Sequence, residues 1–145
     1  MIKISATTDA VETVDDVLLL PYEKRQKSRL RAQLKSGIEV GLTLPRGTVL
    51  RGGDCLLSDD GKVIAVQAEP EQTSKVISED GLLLMRAAYH LGNRHVPLSV
   101  TKDGLRYLQD HVLDEMLIQL GLTVEHELAA FEPESGAYAG GHHHH

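Results

Sequence analysis

Two modules are predicted, an all-β one over residues 1–70 and an α+β one over residues 71–131, followed by a flexible, His-containing tail over residues 132–145. Three observations carry this reading. Residues 30–44 alternate apolar and polar side chains with a period of two, the pattern of half-buried strands. The stretch Ala68-Glu69-Pro70-Glu71-Gln72 is polar, acidic and interrupted by proline, as a linker is. Beyond it, two apolar runs of helical spacing, each stopped by a glycine, alternate with strand-like segments.

Ile2 to Ser5 reads as an opening strand. Val17-Leu18-Leu19-Leu20 is a short apolar run stopped by Pro21. The mostly basic Glu23 to Arg29 reads as a solvated loop leading into a strand, with an anion site as the rival. Leu30, Ala32 and Leu34 then share one side of a strand, and Arg29, Arg31 and Gln33 the other. Ser36-Gly37 turns the chain, and Ile38, Val40, Leu42 and Leu44 repeat the alternation, so an antiparallel hairpin is expected. Pro45-Arg46-Gly47, Gly52-Gly53-Asp54 and Asp59-Asp60-Gly61 are turn signals, the last of them before the apolar Val63 to Val66. The Gly52-Gly53 pair lacks G-x-G-x-x-G or Walker spacing and precedes a strand-like stretch, which predicts a turn or bulge and not a phosphate cradle. Cys55, beside Leu56 and Leu57, reads as a small buried hydrophobe.

In the second module, Lys75 to Ser78 is strand-like. Gly81 to Leu91 is apolar around most of a helix's circumference, with Arg86 and His90 on the one polar stripe, and such a helix is expected to be mostly covered. Gly92 suits the left-handed position that ends it, which leaves His95 in the turn before a strand of Val96, Leu98 and Val100. Lys102-Asp103-Gly104 turns the chain into a short strand with Leu105 and Tyr107. Asp110 is a good N-cap for a helix running to Leu120, with Gly121 as its stop. Thr123 to Leu128 closes the unit, with Val124, His126 and Leu128 on one side and His126 expected to be packed. The order βαββαβ is the ferredoxin-like arrangement, one antiparallel sheet with two helices on one face.

Composition narrows the function. The net charge of −6 lacks the basic footprint of a nucleic-acid binder. No signal-peptide pattern opens the chain, and no run approaches the roughly 18 apolar residues of a membrane span, so a cytoplasmic protein is expected. A single cysteine forms no internal disulfide, in keeping with a reducing compartment. With four Tyr, one Phe and no Trp, stacking on bases or sugars has little to use. Histidine is the biased residue, at eight, of which four are His142, His143, His144 and His145. That terminal run is either an expression tag or a short metal-binding tract. His95, fixed between a helix end and a strand, is a plausible metal ligand, but it is only one. No H-E-x-x-H or comparable cluster supplies the three ligands and base of a hydrolytic metalloenzyme. A metal-independent, peptide-binding docking module remains the rival reading.

Several blocks occur together in order: Leu44-Pro45-Arg46-Gly47, Leu50-Arg51-Gly52-Gly53-Asp54, Tyr89-His90-Leu91-Gly92-Asn93-Arg94-His95-Val96-Pro97, Leu105-Arg106-Tyr107, Asp110-His111-Val112-Leu113-Asp114, Gly121-Leu122-Thr123, and Phe131-Glu132-Pro133-Glu134-Ser135-Gly136-Ala137-Tyr138. Over nearly the whole chain they resemble the UreE-type urease accessory proteins. The resemblance implies a nickel metallochaperone and not an enzyme, a carrier that hands Ni2+ to apo-urease and its accessory proteins. It implies a peptide-binding-like β domain, a ferredoxin-like metal domain, and a homodimer in which His95 of each chain shares one ion. Imidazole suits Ni2+, and Cu2+ or Zn2+ would compete for it. Where many members carry His-x-His before the second helix, this chain has Gln109-Asp110-His111, so His111 is either a ligand of a weakened auxiliary site or a solvated residue. His-rich ends follow the Gly-Ala-Tyr-Ala block in many members, which favours metal binding by His142 to His145. His90 is expected at the surface or behind the ligands.

Overall fold

In the computed structural model, which describes residues 1–135, the chain divides into two units, Met1–Glu69 and Pro70–Ser135. The first contains β1 (Ile2–Thr8), β2 (Asp16–Leu20), the single-turn helix α1 (Tyr22–Arg25), β3 (Arg29–Gln33), β4 (Glu39–Thr43), β5 (Cys55–Ser58) and β6 (Val63–Ala68). They form one mixed six-stranded sheet in the order β2-β6-β5-β1-β4-β3. The β3–β4 hairpin sets Leu30 opposite Leu42 and Ala32 opposite Val40, so the apolar halves of both alternations fall on one face. The ends of the sheet meet where Lys35 N donates to Val17 O at 2.8 Å and Ser36 Oγ donates to the Asp16 carboxylate. Ile4, Leu18, Leu20, Val40, Leu42, Leu56, Ile64 and Val66 fill the interior, and burying each aliphatic side chain of this kind stabilises the unit by about 2 kcal/mol.

Two turns behave differently from each other. The Gly52-Gly53 turn closes as expected, with Asp54 N donating to Arg51 O at 3.0 Å and Arg51 N to Asp54 Oδ2 at 2.8 Å. The basic stretch from Glu23 is solvated at Glu23, Lys24, Gln26, Lys27 and Arg29 and leads into β3 as expected, but Arg25 is not an anion site and the start of the stretch is not a loop. It forms α1, and Arg25 is fully buried, its Nε donating to Leu20 O at 3.1 Å and its Nη1 to Leu50 O at 3.2 Å. The guanidinium also lies 5.7 Å from the centre of the Tyr22 ring. A planar fork with several donors satisfies carbonyls from two segments at once, and the local charge count of the sequence carries no sign of that.

The second unit contains β7 (Pro70–Ile77), α2 (Gly81–Asn93), β8 (Ser99–Thr101), β9 (Gly104–Leu108), α3 (His111–Gln119) and β10 (Thr123–Ala130). Its sheet runs β10-β7-β9-β8, every neighbouring pair antiparallel. Only Glu69 separates β6 from β7. The expected linker is therefore strand on both sides, because Pro70, Glu71 and Gln72 pair with Ala130, Ala129 and Leu128. Proline at the first strand position sacrifices little, since its missing N–H is tolerated there. The β8–β9 turn requires glycine: Gly104 has φ 133°, and a Cβ there would stand 2.4 Å from Val76 O. Helices and sheet enclose Val76, Ala87, Leu91, Leu105, Tyr107, Leu113, Leu117 and Leu122.

Past β10, Phe131 and Pro133 are buried and Glu134 N donates to Leu98 O at 2.7 Å. Residues 132–135, expected to begin a flexible tail, are thus held against the second unit, while His142, His143, His144 and His145 lie outside the described residues. The expected strand from Val96 to Val100 pairs only over Ser99–Thr101. No described helix is long and apolar enough to cross a membrane.

α2 departs most from expectation. Its buried residues are Ala87 and Leu91, whereas Leu82, Met85 and Tyr89 are 62%, 65% and 66% exposed. Their spacing puts them on one stripe of the helix. α2 lays one side on the core, and among the described residues nothing covers the other.

Candidate metal centre

Both helices of the second unit start and stop on side chains and turns that can be named. Asp80 Oδ1 accepts from Leu82 N at 3.0 Å, and Asp110 Oδ1 accepts from Val112 N at 2.9 Å and Leu113 N at 3.1 Å, so each is capped by a carboxylate. α3 ends as expected: Gly121 is left-handed at φ 102°, its N–H donates to Ile118 O at 3.0 Å, and Leu122 N donates to Leu117 O at 3.0 Å. This pair of bonds is the Schellman motif. α2 ends by the same motif with a different residue. Gly92 remains helical, and His95 takes the left-handed position at φ 57°, donating its N–H to Gly92 O at 3.0 Å while Val96 N donates to Leu91 O at 3.3 Å. The expectation for Gly92 is corrected for a packing reason. Val96 folds back onto the core that holds Leu91, and the residue just before it must turn left-handed.

That conformation costs a side-chain-bearing residue roughly 1 kcal/mol, though histidine tolerates it better than most. In return the ring's base is fixed. His95 is exposed, and its imidazole has no hydrogen-bond partner among the described residues. With Arg94, Val96, Pro97, Leu108, Asp110 and Leu113 it lines an open depression of about 300 Å³. Apart from His95, the one metal-type donor there is Asp110, whose Oδ1 caps α3 and whose Oδ2 has no partner among the described residues. Asp110 looks complete in the sequence as an N-cap, which hides its place beside His95.

The other candidate histidines lie elsewhere. His111 is the exposed first residue of α3 and is not part of the lining of this depression. His142 to His145 fall outside the described residues. Among the described residues no three His, Cys, Asp or Glu side chains group as a metal site. His90 is half-buried and meets the Tyr89 ring edge to face at 5.3 Å. Cys55 is buried, as expected.

His126 corrects a further expectation. Its side chain is 50% exposed rather than packed, because β10 is an edge strand, and its Nε2 lies 2.7 Å from Asp114 Oδ2. Asp114 is buried on α3, where its Oδ1 accepts from Ser74 Oγ at 2.7 Å and Tyr107 OH at 2.6 Å. Burial pushes this carboxyl up, but the bonds from Tyr107, His126 and Ser74 outweigh it and hold it below the usual carboxylate range. Burial and the neighbouring Asp114 push the Tyr107 phenol up. The network ties α3 to three strands, and among the described residues no buried polar side-chain atom is unpaired.

Comparison with known proteins covers both units. The N-terminal domain of the UreE urease accessory protein matches residues 3–69 and its C-terminal domain matches residues 71–145. The urease accessory protein UreE of Ralstonia nicotianae is 58% identical over 127 residues, 88% of this chain and 60% of that relative. This chain therefore spans less than two thirds of that relative's length. The namesake of Alkalilimnicola ehrlichii is 54% identical over 140 residues, 97% of this chain and 86% of its own, and that of Nitrosospira multiformis is 48% identical over 146 residues, 100% and 83%. Matched through both of its units, the chain belongs to the UreE urease accessory protein family.

Proposed function

We propose that the chain is a nickel metallochaperone, not an enzyme, and that it delivers Ni2+ to apo-urease in the cytoplasm, together with other urease accessory proteins, while the metallocentre is assembled. The observation that carries this is His95: an exposed imidazole without a partner among the described residues, held at a rigid helix end. One imidazole does not hold an ion in competition with water, and two facing copies do. Ni2+ ranks above most competing divalent ions for such donors, apart from Cu2+, and Zn2+ is taken as well. A site made of few donors at a protein surface also releases its cargo more easily than a closed cage.

The homodimer is part of the proposal. The exposed stripe of Leu82, Met85 and Tyr89 lies on the helix that ends in His95, and a second copy covering it would bring the two imidazoles toward one axis. The strand order β10-β7-β9-β8 with two helices supports a ferredoxin-like assignment for residues 71–131, with residues 1–70 as the all-β domain. His111 and the terminal His142, His143, His144 and His145 are assigned as auxiliary donors that collect metal.

Calorimetry with Ni2+ on protein lacking His142 to His145 tests the reading. About one ion per two chains is expected, and His95→Ala should abolish or strongly weaken it. Absence of nickel binding in that protein would leave a docking module without metal as the better description.

A further inference from the structure

We propose that the outer face of β1, β4 and β3 is a docking groove for an acidic, extended segment of a partner protein. Three cations stand across these neighbouring strands. Lys3 on β1 lies opposite Gly41 on β4, Gly41 lies opposite Arg31 on β3, and Arg29 lies opposite Thr43. All three are exposed, and among the described residues their side chains make no hydrogen bond or ion pair. Together with Met1, Gly41 and Thr43 they line a depression of about 560 Å³.

Gly41 opens that depression. Its φ is not left-handed, so the backbone does not call for glycine. An added Cβ would come no nearer than 3.4 Å to another atom, the Sδ of the flexible Met1 side chain, so packing does not call for glycine either. The missing side chain leaves bare backbone between Lys3 and Arg31, an arrangement that admits close approach by another chain.

Charge and spacing select the occupant. Adjacent strands lie about 4.8 Å apart and alternate residues of one strand about 7 Å apart, so the cations span about 10 Å by 7 Å. Alternate side chains of an extended peptide recur at the same spacing of about 7 Å. Carboxylates at alternate positions can therefore meet Arg29 and Arg31 while another reaches Lys3. Of the chain's own nearby acids, Asp59 accepts from the backbone N of Lys3 at 3.3 Å, and Glu39, opposite Gln33 on the same face, lines a neighbouring depression with Arg31 but forms no ion pair with it. With a net charge of −6 the molecule repels a long polyanion, so a short acidic protein segment fits this local cluster better than nucleic acid does.

The test uses the full chain and a fluorescein-labelled alternating Glu-Ser peptide of about ten residues, followed by anisotropy at low salt and about pH 8. The Glu-Ser peptide should bind and a Lys-Ser peptide should not. Arg29→Glu combined with Arg31→Glu should weaken binding about tenfold, and Gly41→Val several-fold. Lys102→Glu, a charge-reversal control in the other unit, should change it by no more than about twofold. Amide shifts of the wild-type chain on adding the peptide should fall on β1, β3 and β4. Equal weakening by Lys102→Glu, shifts confined to other elements, or tighter binding of a single-stranded oligonucleotide than of the peptide would overturn the proposal.

Discussion

His95 closes α2 in the backbone position that Gly121 holds at the end of α3, each donating its N–H to the carbonyl three residues back. The glycine adopts φ 102° at little cost, whereas the histidine sits at φ 57° against its own Cβ. His95→Gly should therefore raise stability by about 0.5 kcal/mol, the relief of left-handed strain less the extra freedom of an unfolded glycine. His95→Ala keeps the strain and should show no such gain. Urea midpoints of the two variants decide this, and a less stable His95→Gly would mean that the ring packs rather than projects. In the nickel reading both variants lose the ion, so the glycine variant would be more stable and yet inactive as a carrier.

Arg25 offers a test of buried polarity. Arg25→Met keeps chain length and apolar volume but takes the guanidinium donor from Leu50 O and leaves Leu20 O with the Glu69 N–H alone. A loss of about 2 to 3 kcal/mol is expected, and Arg25→Lys should recover only part of it, because one ammonium cannot reproduce the fork. Guanidinium unfolding measures both. A loss well under about 1 kcal/mol for Arg25→Met would show that water replaces the guanidinium readily.

Gly104 should tolerate no side chain. A methyl group there meets Val76 O at 2.4 Å, and the φ of 133° is strained for any L-residue. Gly104→Ala should cost at least about 2 kcal/mol, and its urea midpoint should fall accordingly, with chemical-shift changes centred on the β7–β9 ladder. Gly61→Ala, also left-handed at φ 85° but with open space around its added Cβ, separates strain from clash and should cost less.

What was readable in the sequence follows from how local its cause is. The period of two in Leu30 to Leu42 set the β3–β4 register, and Asp110 and Gly121 marked α3 correctly, because caps and alternation act over a few residues. The burial of Arg25 was unreadable, since its partners Leu20 and Leu50 come from segments on both sides of it. The end of α2 misled for another reason. Gly92 is the better left-handed residue by propensity, but packing of Val96 near Leu91 moved the turn to His95. His126 shares the strand side expected for it, yet it is half-exposed because an edge strand is covered only in part. His95 stands in the turn expected for it, whereas its neighbour Asp110 was hidden by its capping role.

Asp114 sets an acid limit on the second unit. Its folded-state carboxyl is held below the usual range, so its contribution is complete above the unfolded value near about 4 and is lost as pH falls through the lower folded value. Stability of the wild-type chain should therefore drop in that acid window. In Asp114→Asn the drop should be shallower, because one group with unequal folded and unfolded affinity for protons has gone. Asp114→Ala should cost about 2 to 4 kcal/mol near neutral pH by stranding Ser74 Oγ and Tyr107 OH. Thermal melts of the three proteins across acid pH check both statements, and parallel curves for wild type and Asp114→Asn would remove Asp114 as the cause.

The apolar stripe on α2 offers a test of the proposed homodimer. Contiguous exposed apolar surface of this kind marks an interaction site, and Met85 and Tyr89 are its most exposed members. Met85→Glu with Tyr89→Glu places two like charges where a second copy would lie, at positions that contribute little to the fold of one chain. Sedimentation should then show monomers where the homodimer proposed for the unaltered protein predicts dimers, with the urea midpoint of the second unit nearly unchanged. Nickel affinity should fall about as far as it does in His95→Ala, although His95 itself is untouched. That result would follow from removing the second imidazole and not the first. Full nickel affinity in a monomeric variant would instead show that one chain supplies all the donors, with Asp110 beside His95 as the first residue to replace.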